Sequence, residues 1–328
     1  MMRTIVVTGG AGFIGSHLCE ALLDSGHKVI NIDSFNDYYD PQIKRNNVKD
    51  AMRQLSEIDT DRYVIEEGDI RDTAFLKKVF DQNQVDTIVH LAAYAGVRPS
   101  IENPVLYTDV NINGTVNLLE VCKQYNINKF VFASSSSVYG NHAHVPFSEK
   151  DAVDSPISPY AATKKAGELL CYTYHRLYKI NTACLRFFTV YGPRQRPDLA
   201  IHKFARLILD GQSIPFYGDG STERDYTYID DIIDGVMKTI EWVHQGTDKY
   251  EVFNLGESNT VSLSKMVKTI EVCVDKQAIL NKMPLQPGDV NRTYADVSKS
   301  KEILGYDPRT SFEDGVNKFV SWLLKRNS

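Results

Sequence analysis

The chain has 328 residues, of which 42% are hydrophobic and 24% carry a charged side chain. That length exceeds what one ordinary hydrophobic core fills, so we expect one large or two unequal domains of a folded protein rather than a disordered chain. The net charge of −5 excludes an overall basic field of the kind that holds nucleic acid or an anionic membrane surface.

The cysteines and the amino-terminal segment bear on where such a protein works. The five cysteines are scattered and form no Cys-x-x-Cys pair, which argues against a disulfide scaffold and a zinc site and is typical of a reducing compartment. His142 and His144 lack a third ligand at suitable spacing, so we expect no metal site. Glycines interrupt the first apolar run too early for a signal peptide, and no run approaches the ~20 residues of a membrane span. We therefore predict a cytoplasmic protein with no membrane or nucleic-acid partner.

The start of the chain predicts one β-α-β unit. Thr4–Thr8 is a short β-branched run of the kind that forms a strand buried on both faces of a parallel sheet. The glycine-rich turn Gly9–Gly15 leads into helical apolar spacing over Phe13–Leu23. A second predicted strand over Lys28–Ile32 ends at Asp33.

The same alternation continues to about residue 188. Strands that alternate with helices need crossover connections, so the sequence predicts an α/β fold with a doubly wound parallel sheet of the Rossmann type. The long polar connection over 34–62 is either a helical insertion or a mobile flap. We predict the further strands near 63–66, 87–91, 129–133 and 181–186, and the helices over 73–82, 113–125 and 160–178.

The pattern changes after residue 188, where prolines and glycines become frequent and short strands mix with helices. We predict a smaller α/β lobe here, packed against the carboxyl ends of the parallel strands. The first domain comprises residues 1–188 and a segment at about 225–257, which returns to the main sheet as a strand. The second lobe comprises 189–224 and 258–328.

The turn Gly9-Gly-Ala-Gly12-Phe-Ile-Gly15 lies between the first strand and the first helix. Glycines at this place let a diphosphate approach the amino end of the helix, where N–H groups and the helix dipole attract anions. Asp33 ends the second strand, where a carboxylate accepts hydrogen bonds from both ribose hydroxyls and repels a 2′-phosphate. The arrangement therefore predicts NAD rather than NADP as the cofactor.

Two short segments after the third and fourth strands are also predicted to face this cofactor. Asp69 and Ile70 follow the third strand and suit the adenine edge. Leu91, Ala92 and Ala93 follow the fourth strand, where the small side chains let the cofactor lie against the backbone.

Tyr160 and Lys164 lie in the first turns of a predicted helix that Ser158 can cap and Pro159 can start. A spacing of four places both side chains on one face, where an ammonium favours the phenolate and draws the tyrosine pKa down from ~10. Four serines over 134–137 end a predicted strand upstream and present hydroxyls at the carboxyl edge of the sheet. These residues form a candidate acid–base centre.

Together these motifs resemble those of the extended short-chain dehydrogenase/reductases, in particular the NAD-dependent sugar-nucleotide epimerases and dehydratases. The likeness continues through Arg186-Phe-Phe-Thr-Val-Tyr-Gly-Pro193 and Arg224-Asp-Tyr-Thr-Tyr-Ile-Asp-Asp231. The resemblance implies an enzyme with tightly held NAD and a homodimer in which the helices over 113–125 and 160–178 pair across a twofold axis.

The resemblance also implies a role for each matching residue. Tyr160 is the acid/base, Lys164 is its pKa partner and a ligand of the nicotinamide ribose, and Ser135 bonds the reacting sugar oxygen. Ser136 and Ser137 are neighbours able to share that last role. The implied cofactor-binding residues are Gly9, Gly12, Phe13, Ile14, Gly15, Asp33, Asp69, Ile70, Leu91, Ala92, Ala93, Asn111, Tyr160 and Lys164.

The residues just before Val138-Tyr-Gly bear on the type of reaction. In this family, sugar 4,6-dehydratases carry an Asp-Glu pair there and nucleotide-hexuronate decarboxylases carry a Glu, whereas this chain has Ser136 and Ser137. Without that second acid/base, reversible hydride transfer at C4 remains, which is epimerisation; a dehydratase or decarboxylase is a lesser alternative. A non-catalytic NAD sensor of the same fold would dispense with Tyr160 and Lys164.

Further segments resemble the UDP-glucuronate 4-epimerases, among them Asp33-Ser-Phe-Asn-Asp-Tyr-Tyr-Asp40 and Met283-Pro-Leu-Gln-Pro-Gly-Asp289. UDP-galactose 4-epimerases usually have Asn where Thr189 stands. UDP-glucose and UDP-N-acetylglucosamine 4-epimerases remain the alternative, because Arg194-Gln195 replaces the Trp-Gly more common in hexuronate epimerases.

A UDP-hexuronate carries roughly three negative charges, so arginines are the expected counter-charges in an otherwise acidic protein. We predict that Arg224 meets the diphosphate, and that Thr189 and one arginine, preferably Arg196, hold the C6 carboxylate. The predicted substrate-binding residues are Ser135, Ser136, Ser137, Thr189, Arg194, Arg196, Arg224 and Asp289.

Overall fold

The computed structural model of the chain describes residues 1–54, 61–142, 144–284 and 292–327. The strands in chain order are β1 (Thr4–Thr8), β2 (Lys28–Asp33), β3 (Tyr63–Glu67), β4 (Thr87–His90), β5 (Lys129–Ser135), β6 (Asn181–Phe187), β7 (Thr189–Tyr191), β8 (Ser213–Tyr217), β9 (Glu223–Tyr228), β10 (Tyr250–Leu255), β11 (Thr260–Ser262) and β12 (Ile279–Met283). Seven of these strands form one sheet in the order β10–β6–β5–β4–β1–β2–β3, in which every neighbouring pair is parallel. The predicted doubly wound sheet is therefore confirmed.

Helices connect these strands, and a π-helical turn at Asp109–Asn113 and a 3-10 turn at Ser136–Tyr139 supplement them. The connection after β2 is helical over Pro41–Gln54, as one of the two alternatives for 34–62 predicted. In the ranges that the structure describes, no helix has the length and apolar composition to cross a membrane. The helices in chain order are α1 (Phe13–Asp24), α2 (Pro41–Gln54), α3 (Thr73–Gln82), α4 (Val97–Glu102), α5 (Pro104–Thr108), α6 (Gly114–Gln124), α7 (Pro159–Tyr178), α8 (Ala200–Leu209), α9 (Ile229–His244), α10 (Leu263–Val274), α11 (Ser298–Leu304) and α12 (Phe312–Asn327).

The large sheet is buried on both faces, which explains why its strands are apolar without strict alternation. Successive side chains of β1 point to opposite faces, so Ile5 and Val7 pack in one core and Val6 packs in the other. Helix α1 contributes Leu18 to the first core, and α6 contributes Leu118 to the second. From β1 the sheet continues through β2 and β3 on one side, and from β4 it continues through β5 and β6 on the other. The strand order therefore reverses between β1 and β4, and a crevice is expected at the carboxyl ends of these two strands.

Smaller sheets follow the carboxyl end of β6. β7 pairs with β9, which pairs with β11, and β8 pairs with β12. β7 begins at Thr189, two residues after β6 ends, so this part of the chain adjoins the carboxyl edge of the large sheet. β10 rejoins the large sheet beside β6, in the register that aligns Leu255 with Phe187. The exact boundaries of the two predicted lobes stay a prediction.

Candidate active site

A cavity of about 360 Å³ lies at the carboxyl edge of the large sheet. It extends from the ends of β2 and β3, past the glycine turn, to the ends of β5 and β6 and the start of β7. Sixteen of the residues predicted from the sequence line it together: Gly9, Gly12, Phe13, Ile14, Gly15, Asp33, Asp69, Ile70, Leu91, Ala92, Ala93, Ser135, Tyr160, Lys164, Thr189 and Arg196.

The glycine turn packs too tightly for any side chain at two of its positions. A Cβ on Gly15 would stand 2.1 Å from the Gly9 carbonyl oxygen, and Gly9 itself has φ +72° and faces the Ala92 amide. Helix α1 begins directly after Gly12, and no side chain among the described residues caps that end. Backbone N–H groups at the helix start therefore face the cavity, which is the arrangement a diphosphate requires.

Asp33 lies at the end of β2 with its carboxylate held in place by the backbone. It accepts hydrogen bonds from the Phe35 amide at 2.9 Å and the Ala11 amide at 3.2 Å. The Lys44 ammonium, from α2, lies 3.5 Å from Asp33 Oδ1 and 2.9 Å from Asn36 Oδ1. Lys44 is buried beside Asp33, although we did not assign it to the site from the sequence.

Tyr160 and Lys164 project from the first two turns of α7. Ser158 caps this helix by accepting a hydrogen bond from the Ala161 amide at 3.1 Å. Lys164 Nζ donates to the Ala133 carbonyl oxygen of β5 at 2.8 Å and lies 5.9 Å from the centre of the Tyr160 ring. Burial lowers the pKa of Lys164 to about 8.

The electrostatics of Tyr160 differ from the prediction in direction. Burial raises the pKa of Tyr160 above its usual value, while a hydrogen bond with Ser135 and the charge of Arg196 oppose that rise. We expected Lys164 to lower this pKa directly, but its ammonium is turned to a backbone carbonyl instead. The charge of Arg196 is one of the influences that lower the pKa of Tyr160.

The four serines separate into two pairs. Ser134 and Ser135 end β5 and line the cavity, whereas Ser136 and Ser137 lie in the 3-10 turn and are not among the lining residues. Ser134 Oγ donates to Glu168 at 2.6 Å. Ser135 Oγ donates to Ser137 Oγ and accepts from the Ser137 amide, both at 3.1 Å. Of the two serines at the cavity, Ser134 is therefore engaged by Glu168, and Ser135 is oriented by Ser137.

Thr189 and Arg196, from the part of the chain that follows β6, also line the cavity. Thr189 is the first residue of β7, directly after the paired ends of β5 and β6. Arg196 donates from Nε and Nη2 to the Asp198 carboxylate at 3.0 and 2.8 Å, and its side chain is 16% exposed. The cavity wall thus includes one hydroxyl side chain, Thr189, and one cation, Arg196, that Asp198 orients.

Two arginines predicted for the substrate lie elsewhere. Arg194, in a left-handed turn with φ +63°, forms an ion pair with Glu20 of α1 at 2.6 Å and does not line the cavity. That backbone turn points Arg194 and Arg196 in different directions despite their separation of two residues. Arg224 lies in β9, outside the cavity lining, and donates to the Glu223 carbonyl oxygen at 2.8 Å.

Asn111, predicted to contact the cofactor, is hydrogen-bonded to the backbone of Tyr94. The Asn111 amide accepts from the Tyr94 backbone amide at 2.9 Å and donates to the Tyr94 carbonyl and to Thr163, both at 3.0 Å. It does not line the cavity, so in place of the predicted cofactor contact it fixes the Tyr94 segment against α7, one residue before Lys164. Asp289 lies outside the described residues.

Sequence reasoning missed the aromatic side of the cavity. Tyr38 and Tyr39, from the connection after β2, line it, and the Tyr39 hydroxyl lies 3.9 Å from the Cβ position of Gly12. Tyr94 lines the cavity from the β4 side. The available signal was the pair of tyrosines in an otherwise polar connection, since large aromatic side chains in such a segment need a surface to cover.

Known proteins resemble this chain over almost its whole length. The family described as GDP-mannose 4,6 dehydratase matches residues 6–319. UDP-glucuronate 4-epimerase 3 of Arabidopsis thaliana is 44% identical over 335 residues, covering 98% of this chain and 76% of that protein.

Two solved structures show the same architecture. UDP-glucuronic acid 4-epimerase from Bacillus cereus, in complex with UDP-glucuronic acid and NAD, is 38% identical, with a TM-score of 0.90 and coverage of 98% of this chain and 99% of that one. UDP-glucose 4-epimerase of Thermus thermophilus, in complex with NAD, is 29% identical, with a TM-score of 0.86 and coverage of 98% and 99%.

Proposed function

Because the chain belongs to the GDP-mannose 4,6-dehydratase family of NAD-dependent epimerases and dehydratases, we propose that it is a UDP-sugar 4-epimerase that interconverts UDP-glucuronate and UDP-galacturonate. The observation that carries this function is the distribution of charge along the cavity. Among the described residues that line it, the only carboxylates are Asp33 and Asp69, at the ends of β2 and β3. The other end holds Tyr160, Ser135 and Arg196.

That distribution favours epimerisation over elimination or decarboxylation. A dehydratase needs a second acid or base to move a proton at C5, and the lining near Tyr160 supplies hydroxyls in its place. Where the dehydratases and decarboxylases of this family carry carboxylates, this chain has Ser136 and Ser137, in the 3-10 turn. One acid–base group suffices for oxidation at C4 and for reduction on the opposite face.

The residues present fit NAD. At Gly9 and Gly15 the backbone of the turn packs directly against other backbone atoms, which leaves no space for a Cβ. The start of α1, which no side chain caps, faces the same cavity. Asp33 would hold the adenosine ribose, and Lys164 and Tyr160 would hold the nicotinamide ribose. When bound, NAD supplies a reversible acceptor for the hydrogen at C4.

The chain's own residues handle the proton and the orientation of the sugar. Tyr160 takes the proton of the 4-hydroxyl and later returns it to the 4-keto sugar, with its oxygen held by Ser135. The charge of Arg196 favours the phenolate needed for the first step, against the cost of burial. The 4-keto sugar must then rotate about its link to the diphosphate, so the nucleotide is held firmly and the sugar loosely.

We infer that the C6 carboxylate is held by Thr189 and Arg196. Both line the cavity at the end where Tyr160 lies, and a guanidinium and a hydroxyl are suitable donors to a carboxylate. The 4-keto hexuronate is a β-keto acid that loses CO₂ when its carboxylate stands perpendicular to the ketone. Two donors on the carboxylate keep it near the plane of the 4-keto group, in which CO₂ is not lost.

A panel of four sugars tests the proposal. Purified protein without added cofactor is incubated with UDP-glucuronate, UDP-galacturonate, UDP-glucose and UDP-N-acetylglucosamine, and the products are resolved by chromatography. We expect interconversion of the two hexuronates, with C4-deuterated substrate keeping its label. Preferential conversion of a neutral sugar would shift the assignment to the UDP-glucose or UDP-N-acetylglucosamine alternative, and bound NAD without conversion would indicate a sensor.

We also propose that the protein works in the cytoplasm as a homodimer. All five cysteines lack disulfide partners, which suits a reducing compartment. Exposed apolar side chains cluster on α7, with Leu169 56% exposed and Leu177 65% exposed, and on α5, with Val105 77% exposed. Apolar groups in such number on neighbouring helices favour a subunit contact, which light scattering would detect as a doubled mass.

A further inference from the structure

Several contacts fix the side chain of Tyr38, which belongs neither to the acid–base pair nor to the glycine turn. Its hydroxyl donates to the Ala95 carbonyl oxygen at 2.5 Å, and its ring meets the Tyr94 ring edge-on at 5.6 Å. Gly96, next in the chain to Ala95, leaves little spare room, since a Cβ there would stand 3.1 Å from the Tyr38 hydroxyl. The ring has therefore one defined position.

That position is beneath the guanidinium of Arg196. The guanidinium carbon lies 5.1 Å from the centre of the Tyr38 ring, within the range of a cation–π contact. Asp198 accepts from Nε and Nη2. Among the described residues no acceptor meets Nη1, so the donors on that side remain available for a ligand.

We propose that Tyr38 is a positioning residue that fixes the guanidinium of Arg196 and thereby sets the preference for a carboxylated over a neutral UDP-hexose. The inference rests on the proposed function, because it takes Arg196 as a partner of the C6 carboxylate. Asp198 holds one edge of the guanidinium and the Tyr38 ring supports its face, so together they define the plane in which the remaining N–H groups point. A planar donor group recognises a carboxylate well only when that plane is set in advance.

A second contact ties this arrangement to the reacting end of the sugar. Tyr107 donates from its hydroxyl to the same Ala95 carbonyl at 3.0 Å, and its ring meets the Tyr160 ring edge-on at 6.3 Å. Tyr38 and Tyr107 therefore bond the same backbone carbonyl, with one ring beneath Arg196 and the other beside Tyr160. Both rings also pack edge-on against the Tyr94 ring, so the loss of a single hydroxyl should leave them in place.

The test compares three single variants of the holoenzyme, and repeats the first of them in an Arg196→Ala background. Tyr38→Leu removes the ring face, Tyr38→Phe keeps the face and removes the hydroxyl, and Tyr107→Phe removes the other hydroxyl on Ala95 without touching the face beneath Arg196. For each we measure kcat/KM for UDP-glucuronate, the inhibition constant of UDP-glucose, the ratio of epimer to UDP-pentose, and the bound NAD. UDP-glucose has no C6 carboxylate, so its inhibition constant reports on the rest of the binding site without the contact between the carboxylate and Arg196.

We expect Tyr38→Leu to lower kcat/KM for UDP-glucuronate about tenfold, which corresponds to about 1.4 kcal/mol. The inhibition constant of UDP-glucose should stay within about twofold, the share of UDP-pentose should rise, and NAD should remain bound. Tyr38→Phe and Tyr107→Phe should keep the preference for the hexuronate within about threefold. In the Arg196→Ala background, Tyr38→Leu should have no further effect on the preference, because the group that it positions is gone.

Other results would overturn the proposal. An equal loss on both sugars, or loss of bound NAD, would mean that Tyr38 only covers the cofactor. An undiminished effect of Tyr38→Leu in the Arg196→Ala background would mean that it acts on some other group. Failure of the proposed function is a separate result: Arg196→Ala would then weaken UDP-glucuronate and UDP-glucose equally, or the wild-type protein would leave UDP-glucuronate unchanged.

Discussion

Ser134 donates a hydrogen bond from Oγ to Glu168 Oε1 at 2.6 Å, and this contact aligns strand β5 with helix α7. One turn earlier on the helix, Lys164 donates to the carbonyl of Ala133, and one turn before that lies Tyr160, which interacts with Ser135. Residues spaced by four on the helix therefore meet three consecutive residues of the strand. This register brings the phenol to the serine hydroxyl.

Glu168 also binds the neighbouring strand β6, and removal of its charge should destabilise the protein. It accepts two hydrogen bonds at 2.8 Å from Arg186 of β6, and both side chains are nearly fully buried. We expect Glu168→Gln to lower the free energy of unfolding by about 3 kcal/mol, because it leaves the Arg186 charge buried without its partner. Urea unfolding at pH 7 measures this loss.

Lys165 provides the matched control, since it pairs with the same carboxylate at 3.5 Å from a partly exposed position. Lys165→Gln should cost under about 1 kcal/mol. Equal losses for the two variants would show that the burial of the Arg186 pair is not what stabilises this junction.

Replacing Tyr160 by Phe removes the group that we propose exchanges a proton with the sugar. We expect turnover of UDP-glucuronate to fall by about 10²- to 10⁴-fold, with NAD content and thermal stability close to those of the wild type. Chromatographic product analysis measures the rate. Retained turnover would mean that another group, with Ser135 the nearest hydroxyl, carries the proton.

Local pattern was enough to predict the parallel sheet, the glycine turn and sixteen of the 33 described residues that line the cavity. Each of these depends on residues close together in the sequence: Asp33 follows its own strand, and Tyr160 and Lys164 share one helix face. Ser135 could be placed because it ends a strand whose neighbours are parallel.

Tertiary contacts determine where the remaining residues of the site lie. Arg194 was assigned to the substrate as a counter-charge for its anionic groups, but a left-handed backbone turns it toward Glu20, far away in the sequence. Tyr38 and Lys44 were not assigned, because the path of the connection after β2 depends on what α2 packs against. Such choices depend on long-range packing that spacing along the chain does not encode.

Gly15 should tolerate no side chain, because a Cβ there would stand 2.1 Å from one backbone oxygen and 2.7 Å from the Gly10 Cα. We expect Gly15→Ala to abolish NAD retention, since the turn must open to admit the methyl group. The 260/280 nm absorbance ratio of the purified protein reports the bound nucleotide. Gly26→Ala, just past the other end of α1, meets nothing within 4 Å and should keep NAD despite the strain of φ +80°.

Glu257 should make the protein less stable as the pH rises. Burial, with the nearby charges of Asp231 and Asp225, raises the pKa of Glu257 from its usual 4.5 to about 8. Between these pH values the native state holds a proton that the unfolded chain has released, so stability falls from pH 4.5 to pH 8. Glu257→Gln should therefore raise the melting temperature at pH 9, by about 2–4 °C for roughly 1 kcal/mol, and leave it unchanged near pH 4.5. A gain of equal size at both pH values would contradict the assignment to ionisation.

The pair formed by Asp33 and Lys44 predicts a change of cofactor preference from a single substitution. Asp33 repels a 2′-phosphate, whereas the Lys44 ammonium, 3.5 Å from it, lies where a phosphate would need a counter-charge. We expect Asp33→Ser to lower the ratio of the NADP and NAD dissociation constants at least about tenfold, because repulsion is removed and the cation is released. Calorimetric titration of nucleotide-stripped protein measures both constants. Asp33→Ser combined with Lys44→Met should lose most of the gain. If the double variant instead binds NADP as well as the single variant does, Lys44 takes no part in the phosphate site and serves only to hold Asn36 and Asp33.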